Sequence, residues 1–258
     1  MIKSHLTDKW LAKEYVKSKF GEEYVIKTLG VYKKFEDIDF NKLPNQFVIK
    51  STHGSGQIEI IKDKSQINKE QLKKRVNGWL KINYAYNLGL ELHYANIIPR
   101  IIVEEYINAI NDDLYDYKIL CNNGKIDIIW VDTNRFTGHR RNLYDKNWNL
   151  LPVLLAWPNS DSAIPKPKQL DKIINISNSM AQQFAHIRCD FYILKDGSIK
   201  FGEFTFTTGS GVDKFNPYSY DQELGLKLIL PEKTPFKKLS KLKIKNAEKK
   251  FIKDLNKK

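Results

Sequence analysis

The sequence predicts an α+β protein, on three observations. Asn123-Gly124 and Asp196-Gly197 each sit between apolar runs, the strongest short signal for an antiparallel hairpin. A further pair of strand candidates is joined by a glycine-rich loop rather than by a crossover helix, and segments of helical period lie between these strand groups.

Taken in order, Thr7-Asp8 can cap a helix that carries Leu11, Val16 and Phe20 and stops at Gly21. Tyr24-Val25-Ile26 reads as a short strand. Phe47-Val48-Ile49-Lys50 reads as a buried strand, followed by the loop Ser51-Thr52-His53-Gly54-Ser55-Gly56 and a second strand, Ile58-Glu59-Ile60-Ile61. Residues 67–82 have helical character, and Ile101 to Ile107 form another apolar strand candidate. The hairpins span Tyr115 to Val131 and Asp190 to Thr205, and between them a proline-rich stretch leads to a helix near 168–186, with Leu170, Ile173, Ile176, Met180 and Phe184 inward. The predicted divisions are an N-terminal helical segment at 1–45, a small lobe at 46–107, a larger lobe at 108–230 and a Lys-rich tail at 231–258.

At 258 residues and 41% hydrophobic content the chain can bury a core of its own. Its apolar runs break well short of the roughly 20 residues needed to span a bilayer, and no signal peptide opens it, so a cytoplasmic location is expected. Cys121 and Cys189 lie in apolar strands without metal-ligand spacing, and read as buried thiols. The formal charge is +13, but residues 233–258 hold eleven lysines against Glu248 and Asp254, which leaves only +4 for residues 1–232. No nucleic-acid surface is expected of the main body. In the tail Leu239, Leu242, Ala247, Phe251, Ile252 and Leu255 recur at near-helical spacing beside lysines, consistent with a solvated helix or with peripheral contact to an anionic membrane.

Lys50 at the end of a strand, followed by His53-Gly54-Ser55-Gly56, places a cation beside backbone N–H groups that can approach an anion closely. The Lys precedes the glycines, so this is no Walker A loop; it is a phosphate cradle or a plain surface turn. The second hairpin has a register that can be worked out. A two-residue loop pairs Lys195 with Ser198, which puts Asp190 across from Glu203 and Arg188 across from Thr205, all four on one face. Two opposed carboxylates point to Mg²⁺, unless Arg188 alone neutralises them on a polar face. The loop Thr208-Gly209-Ser210-Gly211 follows directly and could hold an acceptor, and Arg135, His139, Arg140 and Arg141 offer cations to an acidic substrate.

The order of these pieces resembles the ATP-grasp superfamily. Asp8-Lys9-Trp10-Leu11-Ala12-Lys13-Glu14-Tyr15-Val16, Leu43-Pro44 with Phe47 to Gly56, Asp116-Tyr117-Lys118 and Phe201-Gly202-Glu203-Phe204-Thr205-Phe206 look like the TupA-like ATP-grasp family, over about residues 5–225. The resemblance implies two α+β lobes closing over ATP, with a reduced N-terminal region and a basic helical tail. It also implies that Lys50 and the His53–Gly56 loop meet ATP phosphate, that Glu104, Glu105, Tyr106 and Ile107 form a hinge holding adenine, and that Asp116 or Lys118 meets ribose or phosphate. Arg188 would stabilise the transferring phosphoryl group, with Mg²⁺ on Asp190 and Glu203 and with Thr205 where many relatives carry Asn. The implied reaction joins a carboxylated sugar or polysaccharide precursor to an amine, in capsule or surface-polymer assembly. A sugar kinase, a glycosyltransferase and a basic binding module without catalysis are the competing readings.

Overall fold

The computed structural model describes residues 1–257 except 88, 108–113, 136 and 234. The chain divides into two compact units, Met1–Ile107 with Phe236–Lys258, and Asn108–Pro235.

The first unit opens with two short helices, α1 (Ile2–Thr7) and α2 (Lys9–Phe20). Asp8 separates them because its carboxylate accepts from the N–H groups of Trp10 (2.9 Å) and Leu11 (3.2 Å), which caps α2, and Gly21 closes the helix. The predicted strand at Tyr24-Val25-Ile26 is displaced: Glu22–Tyr24 form a 3₁₀ turn, and the strand is β1, Thr28–Tyr32. Gly30 in its middle weakens the local strand signal, and pairing with a distant strand supplies what local preference lacks. β2 (Phe47–Ser51) and β3 (Ile58–Ile61) flank the glycine-rich loop, α3 (Lys69–Trp79) follows, and β4 (Ile101–Glu105) returns to the centre. The sheet has the order β1-β4-β2-β3, antiparallel throughout. Phe35, Phe40, Phe47, Ile49, Leu72 and Val103 form the core between the sheet and α3.

The second unit is built on β5 (Asp116–Asn122), β6 (Lys125–Thr133), β7 (Arg140–Tyr144), the short β8 (Leu154–Leu155), α4 (Leu170–Ala181), β9 (His186–Ile193), β10 (Ile199–Thr205), β11 (Phe215–Asn216) and α5 (Ser219–Lys227). Its main sheet has the order β10-β9-β5-β6-β7, again antiparallel. The β5–β6 hairpin follows the sequence prediction: Asn122 pairs with Lys125 across Asn123 (φ 48°) and Gly124 (φ 76°), the left-handed pair that a type I′ turn requires.

The β9–β10 hairpin departs from its predicted register. The loop holds three residues, with Leu194 N–H bonded to Ser198 O (2.9 Å) and Gly197 at φ 80°, so Ile193, not Leu194, faces Ile199. A type I turn closed by a left-handed glycine adds one residue to the turn. A bulge between Phe201 and Phe204 then takes it back, which restores the predicted pairing of Arg188 with Thr205 but leaves Asp190 against the bulge at Gly202-Glu203 rather than squarely opposite Glu203.

The chain ends in α6 (Lys241–Leu255), which packs on the first unit. Arg100 bonds Glu248, Phe251 lies 4.6 Å from the His5 ring, and Ser18 Oγ donates to the Leu255 carbonyl (3.0 Å). The apolar stripe of the predicted tail helix is thereby half-buried at Ala247, Phe251, Ile252 and Leu255, whereas Leu242 stays 68% exposed. Among the described residues no helix is long and apolar enough to cross a membrane. Cys121 and Cys189 are buried and free.

Candidate active site

In the first unit the site begins at Lys50, the penultimate residue of β2. Its ammonium group lies 2.7 Å from Glu104 Oε2, while Lys13 Nζ, reaching in from α2, lies 2.6 Å from Oε1. Glu104 is buried, and burial alone would raise its pKa; Lys50 and Lys13 outweigh that and hold it at about 2. Burial lowers Lys13 despite the same contact. One carboxylate between two ammonium groups keeps a residual positive charge, which fixes Lys50 without cancelling its attraction for an anion. Lys9 adds a third cation by donating to the Gly54 carbonyl (2.9 Å).

The loop itself is anchored from within. His53 is 3% exposed and its Nε2 donates to the Trp79 carbonyl (3.0 Å), so its ring is turned into the unit, and burial lowers its pKa. Ser51 Oγ bonds Gln57 (2.5 Å), Gly54 is buried, and Ser55 and Gly56 are exposed. Of the four predicted hinge residues, Glu104 is held by the two lysines, Glu105 meets Lys27 (3.1 Å), and Tyr106 and Ile107 are half-buried where the first unit's leading segment ends.

In the second unit one face of the sheet carries a buried charge network. Lys118 on β5 lies directly across from Asp190 on β9, and its ammonium group reaches Asp190 (2.9 Å), Asp116 (3.2 Å) and Asp132 (3.9 Å). Arg188, two residues from Asp190 and therefore on the same face, holds both Asp190 oxygens at 2.6 and 2.7 Å. Burial alone would lift Asp190, but Arg188 and then Lys118 bring it down to about 2. For Lys118 burial acts downward and Asp116 and Asp190 reverse it, so its pKa is raised and the pair is ionised.

Arg135, His139, Arg140 and Arg141 each have a partner in this unit. Arg141 on β7 clamps Asp132 through Nε (2.6 Å) and Nη2 (3.0 Å), and Arg135 bonds Asp116. His139 lies 3.3 Å from Asp132 with its ring 4.3 Å from Trp157, and Arg140 donates to the Asn159 carbonyl (3.4 Å). The loop after β10 runs Thr208–Gly211 with Gly209, Ser210 and Gly211 at φ 53°, 54° and 74°. Left-handed backbone at a serine is uncommon and costs energy, a feature that collects at ligand-binding loops.

Two residues of the network escape sequence reasoning. Lys13 looks like any exposed helix lysine and acquires its role only through Glu104, 91 positions away; Asp132 looks like the end of a strand, and its clamp comes from Arg141, nine residues on, in a strand that the sequence does not signal. Only the i,i+2 spacing of Asp116 with Lys118 carries a local sign, and it reads equally as a surface pair.

Among the described residues no cluster of three or more His, Cys, Asp or Glu side chains could hold a metal by itself. Asp190 already has both oxygens on cations. Glu203 lies 3.7 Å from Arg188 with its side chain 35% exposed, so a hard cation can reach its carboxylate from solvent. The network joins Asp116, Asp132, Asp190 and Glu203 to Lys118, Arg135, Arg141 and Arg188, four charges of each sign. A polyphosphate arriving there alone would leave an excess of negative charge, so the donor set fits a phosphate group accompanied by a divalent cation.

The sequence profile of the family described as TupA-like ATPgrasp matches residues 2–229. No curated protein sequence matches the chain. Among solved structures, an L-amino acid ligase from Bacillus licheniformis is similar at 13% identity and a TM-score of 0.47, over 80% of this chain and 42% of that one. An N5-carboxyaminoimidazole synthetase from Staphylococcus aureus is similar at 15% identity and a TM-score of 0.40, over 78% and 44%. The D-cycloserine synthetase DcsG is similar at 12% identity and a TM-score of 0.42, over 78% and 62%. The chain thus spans less than two thirds of the length of each of these structures.

Proposed function

Because the chain belongs to the TupA-like ATP-grasp family, we propose that it is an ATP-dependent carboxylate–amine ligase working through an acyl phosphate. The observation that carries this reading is the pair of buried cation–carboxylate arrangements, Lys50 with Glu104 and Lys13, and Lys118 with Arg188 and Asp190. Both fix cations rigidly in dry surroundings, as stabilisation of transferring charge requires.

In the proposed reaction a carboxylate oxygen attacks the γ-phosphorus of ATP, the bond to the β-phosphate oxygen breaks, and ADP leaves. The amine lone pair then attacks the acyl carbon, the C–O bond breaks to release phosphate, and the new amide nitrogen loses a proton. Lys50 and the His53–Gly56 loop bind phosphate, Arg188 meets the charge on the transferring group, and Lys118 holds Asp190 in place. Mg²⁺, when bound, supplies neutralisation of the β- and γ-phosphates; Glu203, with Asp190 beside it and Thr205 through water, would hold it. We assign adenine to the segment Glu104–Ile107 and the acceptor to Thr208–Gly211 with the surface beside His139 and Arg140.

The finer proposal is that the acid is a uronic-acid carboxylate on a capsule or surface-polymer precursor and the amine an amino acid, which rests on the family's name. A cytoplasmic enzyme held at the inner membrane face by its lysine-rich end suits such a substrate. With the apolar side of α6 turned to the protein, that attachment is electrostatic and therefore salt-sensitive. The test is ADP release in the presence of Mg-ATP, uronic acids and amino acids. Release that needs both an acid and an amine supports the ligase. Release with a sugar alone, leaving a sugar phosphate, identifies the kinase, and binding of a sugar nucleotide in place of ATP identifies the glycosyltransferase.

A further inference from the structure

The first unit contains a cavity of about 420 Å³ that the proposed reaction does not use. Its wall is mostly apolar, with Leu80, Tyr84, Tyr94, Ile98, Leu239 and Ile244 contributing, and its volume lies in the range of small-ligand pockets. The lysines and carboxylates that could charge the wall are of one sign: Lys81 comes from the segment after α3, and Lys238, Lys241 and Lys245 from the C-terminal segment. No carboxylate lines the cavity, and no ion pair links any of these four lysines to an acidic side chain among the described residues.

The C-terminal part of this wall is held in place. Asn96 Nδ2 donates to the Lys237 carbonyl (3.4 Å) and Asn96 Oδ1 accepts from Leu239 N–H (3.1 Å), while Arg100 bonds Glu248 one element further on. These contacts hold the chain that carries Lys238, Lys241 and Lys245, all three exposed, in the same cavity wall as Tyr84 and Tyr94, whose rings lie 4.8 Å apart. His53 also forms part of the wall, 3% exposed, with no hydrogen-bond partner at Nδ1 among the described residues. The family match ends at residue 229, so the part of the wall contributed by Lys238, Leu239, Lys241, Ile244 and Lys245 is built by sequence that lies beyond it.

We propose that residues 236–258 complete a binding pocket in the first unit for a small amphipathic monophosphate, an apolar chain or ring that ends in a phosphate dianion. The apolar wall takes the body of the ligand and the four lysines take the head, since an ammonium group is a compact point charge well suited to phosphate. His53 belongs both to this wall and to the glycine-rich loop, and Leu80 follows Trp79, whose carbonyl holds the His53 ring. Occupancy of the pocket therefore bears directly on the loop that follows Lys50 and β2.

The test is calorimetric titration of the full chain with octyl phosphate below its micelle concentration, with 1-octanol and inorganic phosphate as the two half-ligands. Octyl phosphate should bind one to one, with each half-ligand at least tenfold weaker. The charge reversal Lys241→Glu with Lys245→Glu should weaken octyl phosphate binding by tenfold or more. The matched pair Lys250→Glu with Lys253→Glu, on the same helix but outside the cavity, should leave it within twofold. Absence of saturable binding, equal loss in both double variants, or octanol binding as well as octyl phosphate would each overturn the proposal.

Discussion

At the scale of single residues, two carboxylates, Glu203 and Glu104, differ in exposure and in the charges around them. Glu203 sits partly exposed at a bulge, where a cation can reach it from solvent, so Glu203→Gln should leave the melting temperature of the free protein within a degree or two. Turnover should fall by about 10²-fold or more, together with the thermal stabilisation given by Mg-ATP; thermal melts with and without Mg-ATP and steady-state rates check both. Glu104 is structural as well as electrostatic. Its pKa of about 2 lies below the ordinary glutamate value of 4.5, so the stability it contributes is fully present above pH 4.5 and is lost as pH falls from there toward 2. That contribution is on the order of 3 kcal/mol. Glu104→Gln should flatten the acid limb of the stability curve and destabilise the protein at neutral pH by about 3 kcal/mol, because Lys13 and Lys50 are left facing each other; denaturant melts at pH 3, 5 and 7 measure it. Lys50, Arg188, Asp190 and Glu203 were legible as candidates because each stands beside a glycine-rich loop or in a strand whose parity can be counted. Lys13 was not, because a salt bridge between residues 91 positions apart leaves no mark on either local sequence, and Asp132 was not, because its partner Arg141 lies in a strand with no local signal of its own.

At the scale of elements, local chemistry decides what the sequence reveals. The cap at Asp8, the stop at Gly21 and the type I′ turn at Asn123-Gly124 are properties of a few adjacent residues, and all three are found where the sequence puts them. The β9–β10 register is a different kind of quantity. Asp-Gly serves two- and three-residue loops alike, and the compensating bulge at Gly202-Glu203 depends on pairing that no dipeptide encodes. β1 was misplaced and β7 escaped notice for a related reason: Gly30 interrupts one, Arg140-Arg141-Asn142 open the other, and both are stabilised by neighbours in the sheet rather than by their own composition. The helix α6 shows the same effect in packing. Its sequence is compatible with a free tail, yet Phe251 packs on His5 and Glu248 bonds Arg100. Truncation after Pro235 should therefore lower the melting temperature by several degrees, since it strips partners from buried Arg100 and from the α1–α2 surface. A free tail would melt unchanged.

At the scale of the whole molecule, the chain combines a net formal charge of +13 with a buried network in the second unit in which four acidic and four basic side chains balance. The surplus lies mostly in the C-terminal segment, so the protein attracts anions broadly, while a polyphosphate at the second unit's balanced network, as proposed, would need a cation with it. That division of labour suits a nucleotide that arrives as its magnesium complex. The family and the α+β class followed from motif order and hairpin chemistry, whereas the acid and the amine are written in no residue that sequence reading singled out. The most direct test of the acyl-phosphate ligase is isotopic. The carboxylate substrate that supports ADP release is labelled with ¹⁸O in its carboxyl group, and the inorganic phosphate formed is analysed by mass spectrometry. The account predicts one ¹⁸O transferred to phosphate for each amide made, because the carboxylate oxygen leaves with phosphorus; amide formed with unlabelled phosphate, or phosphate retained on the sugar, would contradict it.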